Sequence, residues 1–144
     1  MTKICTDLKQ SRKLVELGLD PNTADMMYLY WINSKTKQEG IEDIPTVREE
    51  LPIQKGDVPA WSLTALLELM PRIISVKADE HSAYRYQLEW QFANDNSLRY
   101  IATNRNECLI DIFSDHDNKY KTEIETAFKM VVWLLKNDYI KPIK

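Results

Sequence analysis

The stretch YRYQLEWQF, residues 84–92, decides the fold. Tyr84, Tyr86, Leu88, Trp90 and Phe92 alternate with Arg85, Gln87, Glu89 and Gln91. A strict period of two is the signature of a β-strand with one apolar face and one wet face. A slip of one residue in its pairing would exchange those faces, so the register is strongly specified. The pattern extends in both directions. Upstream, Ile74, Val76 and Ala78 alternate with Ser75 and Lys77. Downstream, residues 94–97 (NDNS) have turn chemistry, and Leu98, Tyr100 and Ala102 resume the alternation. Cys108, Ile110 and Ile112 suggest a further strand, with Leu109, Asp111 and Phe113 on its other side. Connections this short favour an antiparallel meander over crossovers.

Helical periods flank the strands. Residues 122–137 carry a broad stripe of Ile124, Ala127, Phe128, Val131, Leu134 and Leu135, apolar enough for a helix packed on the sheet. Residues 62–70 show Leu63, Leu66, Leu67 and Met70 at helical spacing, with Ser62 as N-cap and Pro71 as stop. Residues 7–17 read as a helix capped by Thr6 or Asp7 and closed at Gly18. A further helix is expected from Thr23 through ADMMYLYWINSK, a segment that could instead finish as a strand. The fold class is therefore α+β: a three- or four-stranded antiparallel sheet between residues 72 and 113, covered on one face by the 122–137 and 62–70 helices. The inner residues are expected to include Tyr86, Leu88, Trp90, Tyr100, Phe128, Val131, Leu135, Leu66 and Leu67.

All 144 residues are expected in a single domain, with one long irregular segment at residues 34–60. That segment is either a loop wrapped on the core or a functional flap. Ile41, Ile44, Val47, Leu51, Ile53 and Val58 look like regular anchors and favour the wrapped loop. The three glycines, Gly18, Gly40 and Gly56, are too dispersed for a phosphate-binding loop. The two cysteines read as reduced thiols, Cys108 buried at a strand start and Cys5 in a terminal segment prone to fraying. The opening MTKICTDLKQ has no apolar core of signal-peptide length. No apolar run approaches the roughly 20 residues of a membrane span. No membrane association and a cytoplasmic location are the expectation.

The residues name no catalytic site, and an enzyme is the less favoured reading. Asp111, Asp115, His116 and Asp117 fall close together, but an EF-hand counted from Asp115 would place Tyr120 and Thr126 where Gly and Glu are required. A capping loop is the simpler account, and a ligand or enzymatic site near Asp111 and His116 is kept as the alternative. His81 lacks a partner in sequence, and Glu49-Glu50 reads as solvated charge. No metal site and no cofactor site follow. Arg85, Arg99 and Arg105 with the sheet tyrosines could contact nucleic acid, but mixed charges and a net −3 argue against that partner. Oligomeric state leaves no mark in the sequence. The aromatics offer a protein-partner reading: Tyr28, Tyr30, Trp31 and Trp61, beside Met26 and Met27, are the candidate partner surface, and the equal alternative is that the 34–60 segment folds back and hides the 26–31 run as core. Trp61 is read first as a hydrophobic staple at the start of the 62–70 helix, and second as an exposed anchor.

Three segments, SRKLVELGLDPNTADMMY (11–28), PAWSLTALLELMP (59–71) and FKMVVWLLKNDYI (128–140), resemble an uncharacterised bacterial family met in prophages and other mobile elements of gut anaerobes. PAWSL followed by a leucine-rich turn and proline is the most specific part. The resemblance implies a small accessory protein inside a bacterial cell, and it supplies no activity or catalytic residue.

Overall fold

A computed structural model describes residues 3–91, 97–113 and 123–143. Its frame is the meander expected from the alternating run. Strands β6 (Ile73–Lys77), β7 (Ala83–Gln91), β8 (Ser97–Ala102) and β9 (Cys108–Phe113) form a four-stranded antiparallel sheet in sequence order. Tyr86 pairs with Ile74 on one side and Ala102 on the other, while Leu98 lies between Trp90 and Ile112. The register therefore gathers the apolar positions on one face. Helix α3 (Glu123–Lys136) packs on that face, against β8, β9 and helix α2 (Leu63–Glu68). The fold is α+β, with helices covering one face of an antiparallel sheet. Tyr86, Tyr100, Leu66, Val131 and Leu135 are buried, and Leu88, Trp90, Phe128 and Leu67 pack half-buried at the margin of the same core. Tyr100 is wholly buried, its hydroxyl donating to the Pro71 carbonyl, just beyond α2, at 2.7 Å.

The first helix, α1 (Leu8–Glu16), has the cap its sequence proposes. The Asp7 carboxylate accepts from the Gln10 N–H, and the Gln10 side chain accepts from the Asp7 N–H. Gly18 follows at φ +94°, where an added Cβ would lie 2.5 Å from Pro142. The close approach lets residues 139–143 dock against the end of α1, with the Ile143 N–H donating to the Gly18 carbonyl.

The expected helix from Thr23 is not formed. A 3-10 turn (Pro21–Thr23) leads into β1 (Met26–Tyr28) and β2 (Tyr30–Ile32). β1 is the centre of a second sheet, between β4 (Thr46–Val47) and β5 (Val58–Ala60), and β2 pairs with β3 (Glu39–Ile41). The physical reason is pairing. Met26, Met27 and Tyr28 are buried consecutively, as in a strand covered on both faces, and their neighbours come from the irregular stretch. Asp25 does meet a helix N-terminus, but that of α2: its carboxylate accepts from the Ser62 N–H at 2.8 Å and from the Ser62 hydroxyl. Residues 34–60 contribute three short strands, β3, β4 and β5, joined by turns and irregular chain, and β4 and β5 flank the 26–28 run. Pro59 sits in β5 at a sheet edge, where a missing N–H costs no ladder bond.

Both cysteine expectations are corrected. Cys5 is buried, because residues 5 and 6 lie along the chain at 61–62, with the Thr6 N–H donating to the Trp61 carbonyl at 2.9 Å. Cys108 is exposed, as the first residue of an edge strand opposite a register shift at Ile101. The outer sheet face is also less uniformly wet than its sequence suggests. Arg85 and Gln87 are exposed, but Ser97 is buried, and Arg99 donates to Glu89 at 2.9 Å across the strands.

Candidate interaction surface

The four candidate aromatics divide sharply. Trp61 is wholly buried: its Nε1–H donates to Thr23 Oγ1 at 2.9 Å and its backbone N–H to Thr6 Oγ1 at 3.1 Å. Tyr28 is 7% exposed, and its hydroxyl donates to the Thr6 carbonyl at 2.9 Å. Neither is exposed. Both pin the N-terminal segment to the sheet. Tyr30 is half-buried, with its ring over Gly56, its N–H on Asp57 Oδ1 at 2.9 Å and its hydroxyl bonded to Glu39. Trp31 is 42% exposed and leans on Gly40 across the hairpin; a Cβ at Gly40 would lie 2.7 Å from the indole.

Further exposed apolar side chains follow the hairpin in sequence. Among the described residues ten large hydrophobic side chains are exposed, and five of them, Trp31, Ile32, Ile44, Val47 and Leu51, fall within residues 31–51. Ile44 reaches 77%. Three of the expected core anchors thus point to solvent, while Ile41 and Val58 pack inward. The segment is nevertheless well held. Arg48 Nη1 donates to the carbonyls of Ala24 at 2.6 Å and Pro21 at 3.3 Å, and its Nε donates to the Leu51 carbonyl at 3.2 Å. The Arg48 N–H donates to the Asp25 carbonyl, and the turn at Glu49 and Glu50 is built with both residues at positive φ. Sequence reasoning missed Arg48. The available signal was that it is the only arginine in residues 34–60, set between two outward-facing apolar residues.

Two grooves are present, the smaller of which borders this surface. One, of about 900 Å³, runs between α1 and α3, with Leu8, Phe128 and Val132 as apolar lining and Lys9, Arg12, Lys13 and Lys129 around them. The second, of about 620 Å³, is lined by Ile4, Cys5, Tyr28, Ile44 and Pro45. Asp7 lines both, so they adjoin. The Cys5 Sγ lies 3.7 Å from the Tyr28 hydroxyl. Burial pushes the Cys5 thiol up and holds the Tyr28 phenol well above its ordinary range. Both groups stay protonated at neutral pH, so this groove presents no thiolate nucleophile and no phenolate base.

The other candidates are dispersed. Asp111 lies opposite Arg99 on the outer face of β9 and lines neither groove. Asp115, His116 and Asp117 lie outside the described residues. His81 is exposed in the 78–82 turn, where Asp79 accepts from the His81 and Ser82 N–H groups; those bonds hold the Asp79 carboxyl below its usual range. Glu49 and Glu50 are exposed in the turn after Arg48. Among the described residues no group of three or more His, Cys, Asp or Glu is placed to hold a metal ion, and no helix is long and apolar enough to cross a membrane. Arg99 is held by Glu89, and Arg105 lies 3.5 Å above the Tyr84 ring, donates to the Tyr86 hydroxyl and pairs with Glu107. Of the three arginines considered for nucleic acid, these two are engaged within the fold.

No family model, no curated protein and no solved structure matches the chain. The functional reading therefore rests on the arrangement of its own residues.

Proposed function

We propose that the chain is a non-enzymatic interaction module that binds another protein through the apolar surface of residues 31–51. Its context would be that of a cytoplasmic accessory protein of a bacterial mobile element or prophage. One observation carries the reading: among the described residues, half of the exposed large hydrophobic side chains fall in a segment that backbone hydrogen bonds and Arg48 hold in place. A loose flap could bury its own apolar residues, whereas a held segment that turns them outward offers a preformed contact at low ordering cost. The bacterial context is supported by the three segments whose resemblance was noted.

The test is affinity capture from a bacterial host, with the wild type and an Ile44→Asp/Leu51→Asp variant in parallel, followed by reconstitution with the purified partner. A stoichiometric partner that the wild type retains and the equally stable variant loses is the expected result. A partner held equally by both places binding elsewhere and overturns the proposal.

A further inference from the structure

The apolar surface of residues 42–51 is rimmed by acid. Glu42, Asp43, Glu49 and Glu50 stand beside Ile44, Val47 and Leu51, and none of the four carboxylates forms an ion pair with a described residue. The only cation of this stretch, Arg48, is spent on backbone carbonyls. The α1–α3 groove has the opposite character. Lys9, Arg12, Lys13 and Lys129 surround its apolar lining, and none pairs with a described carboxylate. Asp7, one of its two acids, is engaged by Lys3 and by capping α1, which leaves Glu16. One molecule thus carries an acidic apolar ridge and a basic apolar groove, each lacking a counterpart within its own described fold.

We infer that the groove's partner is the ridge of a second copy of this chain. The inference rests on the reading of residues 31–51 as a binding surface and names what one end of that surface binds. The smaller groove links ridge and basic groove, because Asp43 and Ile44 of the ridge line it and Asp7 lines both grooves. Adjacent complementary patches suit a two-fold dimer, in which each ridge enters the other copy's groove and both contacts form at once. Opposed free charges at the rim steer the encounter and make association salt-dependent, while the apolar residues supply the burial.

Charge reversal tests this in the full chain, with mass measured by analytical ultracentrifugation. The wild type is expected to dimerise, with at least a tenfold weaker association when salt is raised from 0.05 to about 0.5 M. Arg12→Glu/Lys13→Glu gives an acidic groove facing an acidic ridge, and Glu49→Lys/Glu50→Lys gives the reverse. Each variant alone is expected to be monomeric. Mixed together they restore both contacts and are expected to form a one-to-one heterodimer. Circular dichroism melts of each variant show that it folds. A wild type that stays monomeric at high concentration, a mixture that stays monomeric, or variants that dimerise as well as the wild type would each overturn the inference. Should that happen while Ile44→Asp/Leu51→Asp still loses a captured host protein, the interaction-module reading stands without self-association. Should the captured protein also be unaffected, both fall.

Discussion

Replacing Tyr28 and Tyr30 by serine separates a core residue from a surface one within a single segment. Tyr28 is 7% exposed and central in its sheet. An aromatic side chain buries about 150–250 Å², worth about 4–6 kcal/mol at 25 cal/mol per Å² as an upper bound. Aromatic truncations in cores cost about 3–5 kcal/mol once the cavity is included. Tyr28→Ser should therefore lose about 3–5 kcal/mol, a large share of the roughly 5–15 kcal/mol total expected of a domain. Tyr28→Phe keeps the ring and removes only the hydroxyl that donates to the Thr6 carbonyl, for about 1 kcal/mol. Tyr30 is half-buried with its hydroxyl in a solvent-facing bond to Glu39, so Tyr30→Ser should cost about 1 kcal/mol. Urea denaturation followed by far-ultraviolet circular dichroism gives the three midpoints. A Tyr28→Ser midpoint within error of wild type, or a larger loss at Tyr30 than at Tyr28, would refute the assignment.

Thiol labelling should be biphasic: Cys108 reacts with a disulfide reagent within mixing time at pH 8, whereas Cys5 waits for unfolding. Two fast thiols would show that residues 3–6 do not seal the sheet. Stability should hold at neutral pH and fall as the medium becomes alkaline. Burial raises the folded values of Cys5, Tyr28 and Tyr100, so above their unfolded values of about 8.5 and about 10 only the unfolded chain releases the protons. A Cys5→Ala/Tyr28→Phe variant should lose less stability between pH 8 and 11 than wild type, and an identical slope would contradict the burial. Gly18→Ala should lower the melting temperature by several degrees, since left-handed backbone costs a non-glycine residue about 1–2 kcal/mol and the new Cβ meets Pro142. An unchanged melt would mean that residues 139–143 do not dock there.

The C-terminal half was legible because its signals are local. Alternation in residues 84–92 defines both sheet faces without knowledge of any neighbour, and the α3 stripe defines the face that covers them. Ser62 and Pro71 bound α2 through cap and proline chemistry that acts within a few residues. The N-terminal half was not legible for the opposite reason. Met26, Met27 and Tyr28 have no period, and their strand state comes from partners at 46–47 and 58–60. Trp61 is buried, as its first reading expects, but the Thr6 and Thr23 partners that fix it come from distant sequence. At the candidate site the segment was legible and the roles of its residues were not. Apolar spacing in residues 41–58 marks a wrapped chain, but only the arrangement around Arg48 shows which side chains turn outward.

The central claim is that residues 31–51 form a binding surface on a scaffold that does not need them buried. Its most direct test is an Ile44→Asp/Val47→Asp/Leu51→Asp variant, read by melting temperature and by binding to whatever partner the wild type retains, a second copy included. The account predicts a melt within about five degrees of wild type, since exposed substitutions change stability by about 0.5 kcal/mol or less each, together with loss of binding. A melt lowered by ten degrees with binding intact would mean that these residues are covered in the native fold, and would contradict the account.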